Sequence, residues 1–203
     1  MYHKNDDWFF AQEKHFLNID EYNTSDSLVI HPFDPSTTFL SAIYEQKHFD
    51  IVNDPFVNQD QIVQLIETHK RIICLGHGSP FGLFGGYEFL LHDGLSPILK
   101  HKELVSIWCH ADQFMRVHRL NGFFCGMFVS EVGEADLYNI PYQDNKEIEI
   151  SNNLFASVLG KYIDSAGDNI LELVQREYHD ENNPVITFNR NGLYYNGTAR
   201  KVD

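Results

Sequence analysis

Short apolar runs alternate with amphipathic stretches through the first two thirds of the chain. Leu28-Val29-Ile30, closed by Pro32, is compact enough to form a buried strand. Phe39, Leu40, Ile43 and Tyr44 then recur at helical spacing, and Asp50-Ile51-Val52 before Asn53-Asp54-Pro55 reads as a second, weaker strand. Asn58 with Gln61 three residues on has the form of a capping box for a helix carrying Ile62, Val63, Leu65 and Ile66. Ile72 to Leu75 is the third run. The glycine-rich stretch from Gly76 to Gly86 and the extended Tyr87 to Leu91, turned by Asp93-Gly94, predict a small hairpin. Ser96 as an N-cap with Pro97 at the first helical position opens a short helix that feeds a fourth strand, Leu104 to Trp108. Phe114, Val117, His118 and Leu120 suit another helix, and Phe123 to Val129 is a fifth, wholly apolar strand of the kind buried on both faces. Strands alternating with helices imply an α/β fold, a mostly parallel sheet with helices on both faces.

Beyond residue 132 the pattern changes. A polar connection through Asn145 leads to helical spacing over Leu154 to Ile163 and Ile170 to Tyr178. Val185-Ile186-Thr187-Phe188 and Leu193-Tyr194-Tyr195, flanking Asn191-Gly192, then read as a C-terminal hairpin. Residues 1–26 are polar and aromatic without a clear period. The 203 residues suffice for one well-buried core and are few for two, so a single domain over 1–203 is expected, with a core at 27–131 and an elaboration at 132–203.

Fifteen basic residues against 29 acidic ones leave a formal net charge of −14, which repels phosphate backbones and anionic lipid surfaces. Nucleic acid and membrane are therefore not expected partners. The same field favours cationic ligands, and it equally suits a solvated acidic surface. No run approaches the roughly 18 apolar residues a membrane helix needs, and Met1 to Trp8 carries His3, Lys4, Asp6 and Asp7 instead of a basic start followed by an apolar stretch. A cytoplasmic location is the expectation, and the sequons at Asn23 and Asn196 carry little weight without an export signal. Three cysteines, at 74, 109 and 125, form neither a disulfide framework nor a C-x-x-C pair, which fits a reducing compartment with free thiols.

Two segments carry chemistry: Ile72-Ile73-Cys74-Leu75-Gly76-His77-Gly78 and Leu104-Val105-Ser106-Ile107-Trp108-Cys109-His110. Each is an apolar run that stops at a reactive side chain, so His77 and Cys109 would emerge at the carboxyl edge of the sheet, where α/β proteins bind ligands. A thiol is mostly protonated at neutral pH, and attack on a carbonyl needs a base and a proton donor, both of which histidine supplies. The amides of Gly78 and Cys109 are the natural donors to an oxyanion. Taken singly, Cys109 also reads as a small buried hydrophobe and His77 as a satisfied loop histidine. Cys74 and Cys125 lie inside strands and read as core.

The order of these residues resembles the caspase-like cysteine peptidases, the group containing caspases, paracaspases, metacaspases, legumains, gingipains and clostripain. In that family an apolar strand ends in His-Gly, a hairpin and helix follow, and the next apolar strand ends in the nucleophilic cysteine. The resemblance covers roughly residues 27 to 131 and assigns those roles to His77-Gly78 and Cys109. It implies a flavodoxin-like three-layer fold and peptide-bond hydrolysis without a cofactor or metal, on a peptide or protein substrate. In the family, the loop after the first strand and the end of the strand following the nucleophile help line the pocket for the residue before the cleaved bond. Asp34 and Glu131 lie there, and such positions are acidic in the arginine- and lysine-specific members, so the resemblance implies a pocket for a basic side chain; both residues also read as solvated loop carboxylates. The family commonly places small residues or Arg-Gly after its cysteine, whereas this chain has His110-Ala111-Asp112. That departure keeps a second expectation open, a catalytically silent relative that binds a protein partner.

Competing constellations are weaker. Gly76-x-Gly78-x-x-x-Gly82 has the wrong spacing for a dinucleotide loop and contains Pro80, so no nucleotide cofactor is expected. His77, His92, Asp93, Cys109 and His110 lack any short metal-ligand spacing, and 11 histidines make chance clusters common. No G-x-S-x-G elbow supports a serine hydrolase.

Overall fold

The computed structural model describes residues 26–141, 144–165 and 169–196; the expectations for residues 1–25, including the Asn23 sequon, lie outside them. A six-stranded sheet is built from β1 (Ser27–Ile30), β2 (Asp50–Val52), β3 (Arg71–Leu75), β7 (Glu103–Ile107), β8 (Gly122–Cys125) and β9 (Leu193–Asn196). Its order is β2-β1-β3-β7-β8-β9, and every pairing is parallel except that of β9 with β8. Between β3 and β7 the chain makes a small antiparallel sheet from β4 (Gly78–Ser79), β5 (Gly82–Phe84) and β6 (Phe89–His92), one strand more than the expected hairpin.

Alternation along the strands sends side chains to two cores. Leu28, Ile30, Ile72, Cys74, Leu104 and Phe124 face one layer, covered by α1 (Gln59–Thr68), α2 (Ser96–Leu99) and α3 (Ala111–Val117). Val29, Ile73, Leu75, Val105, Ile107 and Phe123 face the other, covered by a 3₁₀-helix (Pro35–Ile43), α5 (Asn145–Tyr162), α6 (Asn169–Glu177) and α7 (Pro184–Asn191). A smaller cluster beneath α4 (Val132–Leu137) joins Ala135 to Val129 and Ile148. The expected α/β architecture with helices on both faces is thus present. Among the described residues no helix is long and apolar enough to cross a membrane.

Three expectations need correction. The C-terminal hairpin is absent: Val185 to Phe188 are helical, within α7, and only β9 is a strand. Asn183 accepts from the amides of Val185 and Ile186 and Pro184 opens the first turn, so cap chemistry outweighs the strand preference of the β-branched pair. The fifth strand stops at Cys125 and not at Val129, because the Gly126 amide turns to the Gly192 carbonyl. Phe128 and Val129 beyond it stay buried, and the Asn189 side chain bonds both the amide (2.7 Å) and the carbonyl (2.8 Å) of Val129 in place of a neighbouring strand. Ser96 is the first helical residue of α2, and Leu95 stands at the cap.

The loop after β1 reaches across the carboxyl edge of the sheet. Asp34 caps the 3₁₀-helix by accepting from the Ser36 amide, and Pro35 starts the first turn. Beneath this helix His31 is buried, with Nδ1 2.9 Å from the Tyr44 hydroxyl and Nε2 3.3 Å from Thr37 Oγ1. On the outer side, α5 approaches so closely that a Cβ at Gly160 would lie 2.9 Å from the Ala42 carbonyl oxygen.

Burial lowers the His31 pKa to about 4, so the imidazole is neutral in the folded chain. The unfolded chain takes up a proton near pH 6.5 that the folded one refuses, so stability is full above that pH and falls as pH drops towards 4. The expected loss is about 3 kcal/mol. Urea unfolding at pH 7, 5.5 and 4 measures it, and His31→Gln should flatten most of that dependence.

Candidate functional site

The pairing of β3 with β7 keeps one offset throughout, with Arg71 opposite Glu103 and Leu75 opposite Ile107. That offset, 107 − 75 = 32, is also the separation of His77 and Cys109, 109 − 77 = 32. Each residue follows its strand by two positions, so the two leave the sheet side by side at its carboxyl edge. The Gly76 amide donates to the Ile107 carbonyl at 3.1 Å, which carries the pairing one residue past the strand. His77 and Cys109 line one open cleft of about 1040 Å³.

The glycines around His77 have different causes. Gly76 has a φ of 135°, a region that disfavours side chains, and it turns the chain out of the sheet. At Gly78 a Cβ would lie 2.2 Å from Cδ1 of Trp108 and 2.6 Å from the Gly82 carbonyl oxygen. Trp108, only 1 % exposed, donates its indole N–H to the Ser79 carbonyl at 3.1 Å. The residue before the cysteine thereby pins the segment after the histidine. Phe84 donates to the His77 carbonyl, and the alternation of an antiparallel ladder then turns the Gly78 N–H away from β5.

His77 is held from behind. Its Nε2 lies 2.6 Å from Ser36 Oγ, and the Ser36 hydroxyl donates to Asp34 Oδ1 at 2.6 Å. A serine hydroxyl has one proton, and here it goes to the carboxylate; Nε2 therefore carries the hydrogen donated to Ser36, and Nδ1 keeps the lone pair. Asp34 itself lies 3.7 Å from Nε2. The Ser36 hydroxyl and amide, more than His77, hold the Asp34 carboxyl below the usual carboxylate range.

Cys109 sits in the turn between β7 and α3. Its Sγ lies 3.6 Å from the Phe128 carbonyl and 3.6 Å from Glu134 Oε1. Burial first, and the Glu134 carboxylate second, push the thiol up to about 12. Glu134 is fixed by its other oxygen, which accepts from the amides of Ser130 (2.8 Å) and Glu131 (3.2 Å) and from the Ser130 hydroxyl (3.1 Å). The next residue, His110, has a φ of 66°, the left-handed conformation that makes the sharp corner from β7 into α3. Cys74 and Cys125 are fully buried, and burial pushes both thiols up.

The other expected site residues separate. Asp34 lines the cleft with His77 and Cys109, whereas Glu131 lines a neighbouring depression of about 580 Å³ with Ser36, Glu149 and Asn152. Asp34 and Glu131 are not brought to one pocket. Sequence reasoning missed Ser36 and Glu134. Ser36 had a local signal, an Asp-Pro-Ser start to a helix, but its contact with His77 spans 41 residues. Glu134 had a partial one, since it caps α4 together with Glu131.

No protein-family model, no curated protein and no solved structure matches the chain.

The geometry sets the outcome of two substitutions. Gly78→Ala forces the Trp108 indole to move, with an expected cost of about 1–3 kcal/mol in urea unfolding and a changed near-ultraviolet circular dichroism. Glu134→Gln keeps an acceptor for the Ser130 and Glu131 amides and removes the charge beside Cys109. The thiol pKa is expected to fall, and alkylation of Cys109 at pH 7 to become several-fold faster, as followed by intact mass.

Proposed function

We propose that the chain is a cysteine endopeptidase of caspase-like fold, working with a His77/Cys109 dyad. The observation that carries this reading is the equality of the β3–β7 offset with the His77–Cys109 separation, which sets imidazole and thiol on one open cleft. As the Cys109 sulfur bonds to the peptide carbonyl carbon, its proton passes to His77 Nδ1, the ring nitrogen not engaged by Ser36. The oxyanion accepts from the amides of Gly78 and Cys109. The carbon–nitrogen bond then breaks, and His77 gives the proton to the leaving amine. Water adds to the thioester, His77 takes one of its protons, and the carbon–sulfur bond breaks to release the acid and restore the thiol. Ser36 and Asp34 act as positioning residues that fix the imidazole tautomer.

Cleavage after a basic residue is supported by charge. Glu134 lines the cleft beside Cys109, and among the described residues no lysine or arginine lines it. Glu134 has a second effect in this reading. A thiol pushed up to about 12 is almost wholly protonated at pH 7. A cationic side chain placed before the cleaved bond pairs with Glu134, draws its charge from the sulfur and makes the thiol easier to deprotonate. The substrate then helps to activate its own nucleophile.

The same raised thiol favours the second reading, a catalytically silent protein that uses this fold to hold a protein partner. In that case Cys109→Ala leaves its role in its native setting unchanged, and a pull-down recovers the same partners with either form.

Peptides carrying Arg, Lys, Asp or Asn before the scissile bond decide between the two. Turnover is expected for Arg and Lys, lost in Cys109→Ala and reduced roughly 100-fold or more in His77→Ala. Labelling by a thiol-directed probe that persists in Cys109→Ala, or no cleavage of any peptide, overturns the peptidase reading.

A further inference from the structure

The cleft has two unlike halves, and the strand order tells them apart. Along the carboxyl edge the order is β2, β1, β3, β7, β8, so its residues run as Phe56, Phe33, His77, Cys109 and Met127. On the β8 side of the cysteine stand Met127, Glu134 and Tyr138. On the far side of the histidine the wall is aromatic, built by Phe33, Phe56, Phe84, Tyr87 and Phe89. Three of these rings are strongly exposed for their size: Tyr87 at 94 %, Phe33 at 63 % and Phe56 at 61 %.

This aromatic wall is a built surface. Phe56 and Tyr87 pack with ring centroids 5.0 Å apart, and Phe84 and Phe89 with centroids 4.9 Å apart. The Gly86 amide donates to the Pro55 carbonyl, and a Cβ at Gly86 would lie 2.0 Å from the Phe56 ring, so the β5–β6 loop is fitted across the β2–α1 loop. Rings held in place but left open to water are suited to receive apolar or aromatic side chains from outside.

The proposed chemistry fixes which part of a substrate meets them. The carbonyl carbon is bonded to Cys109, and the leaving amine takes its proton from His77. The chain after the cut therefore starts at His77 and runs away from Cys109, towards β1 and β2. Strands lie about 4.8 Å apart, so Phe56 is about 10 Å beyond His77, roughly three residues of extended chain.

We propose that the Phe33/Phe56/Tyr87 wall beside His77 is the binding site for the leaving half of a peptide substrate, and that it selects aromatic or bulky apolar side chains within the first three residues after the cut. This rests on the cysteine peptidase reading for direction. The cleft's volume of about 1040 Å³ accommodates several residues on both sides of the bond. The substrate class is an extended segment with a cation before the cleaved bond and aromatic side chains after it.

The test separates binding from hydrolysis. Cys109→Ala full-length protein is titrated with fluorescently labelled peptides that differ only at the second and third positions after the intended cut. Phe or Trp is expected to bind about ten-fold tighter than Gly there, and Tyr87→Ala and Phe56→Ala in the same background to remove that preference. Both side chains are exposed, so the variants should keep the parent's circular dichroism. Equal affinity for all peptides overturns the proposal. So does a preference that tracks residues before the cut, or variants that change the oligomeric mass and leave peptide binding untouched. In parallel, the unmodified chain is incubated with a mixed peptide library and the products read by mass spectrometry. Absence of cleavage there refutes the peptidase reading, while the titration still decides the aromatic wall; cleavage without aromatic enrichment after the cut refutes the wall alone.

Discussion

Parallel pairing of β3 with β7 decides where the reactive groups can be. The two strands carry Ile72 to Leu75 and Leu104 to Ile107 into both cores at once, so a slip of one residue would turn every one of these side chains to the wrong layer. Burial on two faces therefore locks the register, and the register in turn brings His77 beside Cys109. The packing of Trp108 against Gly78 and Ser79 extends that lock beyond the hydrogen-bonded ladder into the loops themselves. Core energetics and site geometry have the same origin.

Electrostatics pull in opposite directions across the cleft. On the histidine side, the hydroxyl of Ser36 and the carboxylate of Asp34 favour one tautomer and leave a lone pair available. On the cysteine side, burial first and then a fixed carboxylate suppress the thiolate. The site thus sets an imidazole with an unengaged ring nitrogen beside a thiol kept protonated by burial and by Glu134.

How much of this is legible in sequence depends on the range of the interaction. Strands at 28–30, 72–75 and 104–107 are legible because burial on both faces leaves a near-continuous apolar run, and His77 and Cys109 because each ends such a run. The run from Phe123 to Val129 overstates its strand: Phe128 and Val129 are as apolar as any strand residue, and only the Asn189 amide, 60 residues away, shows that they lie outside the sheet. Val185-Ile186 has the look of a strand although Asn183-Pro184 carries a helix-start signal just before it. Ser36 and Glu134 carry local cap signals that mark helix starts, but their contacts with His77 and Cys109 are distant in sequence, so no local pattern ties them to the site. Gly78 also makes room for the Trp108 indole, a contact 30 residues away that no local pattern shows.

The close approach at Gly160 has a wider consequence. Through it the long α5 helix rests on the same short 3₁₀ segment that presents Ser36 to the imidazole. The last third of the chain is then a splint for the segment that holds the His77 ring. A loosened turn far along the polypeptide would be felt, through that one short helix, as an unsteady ring.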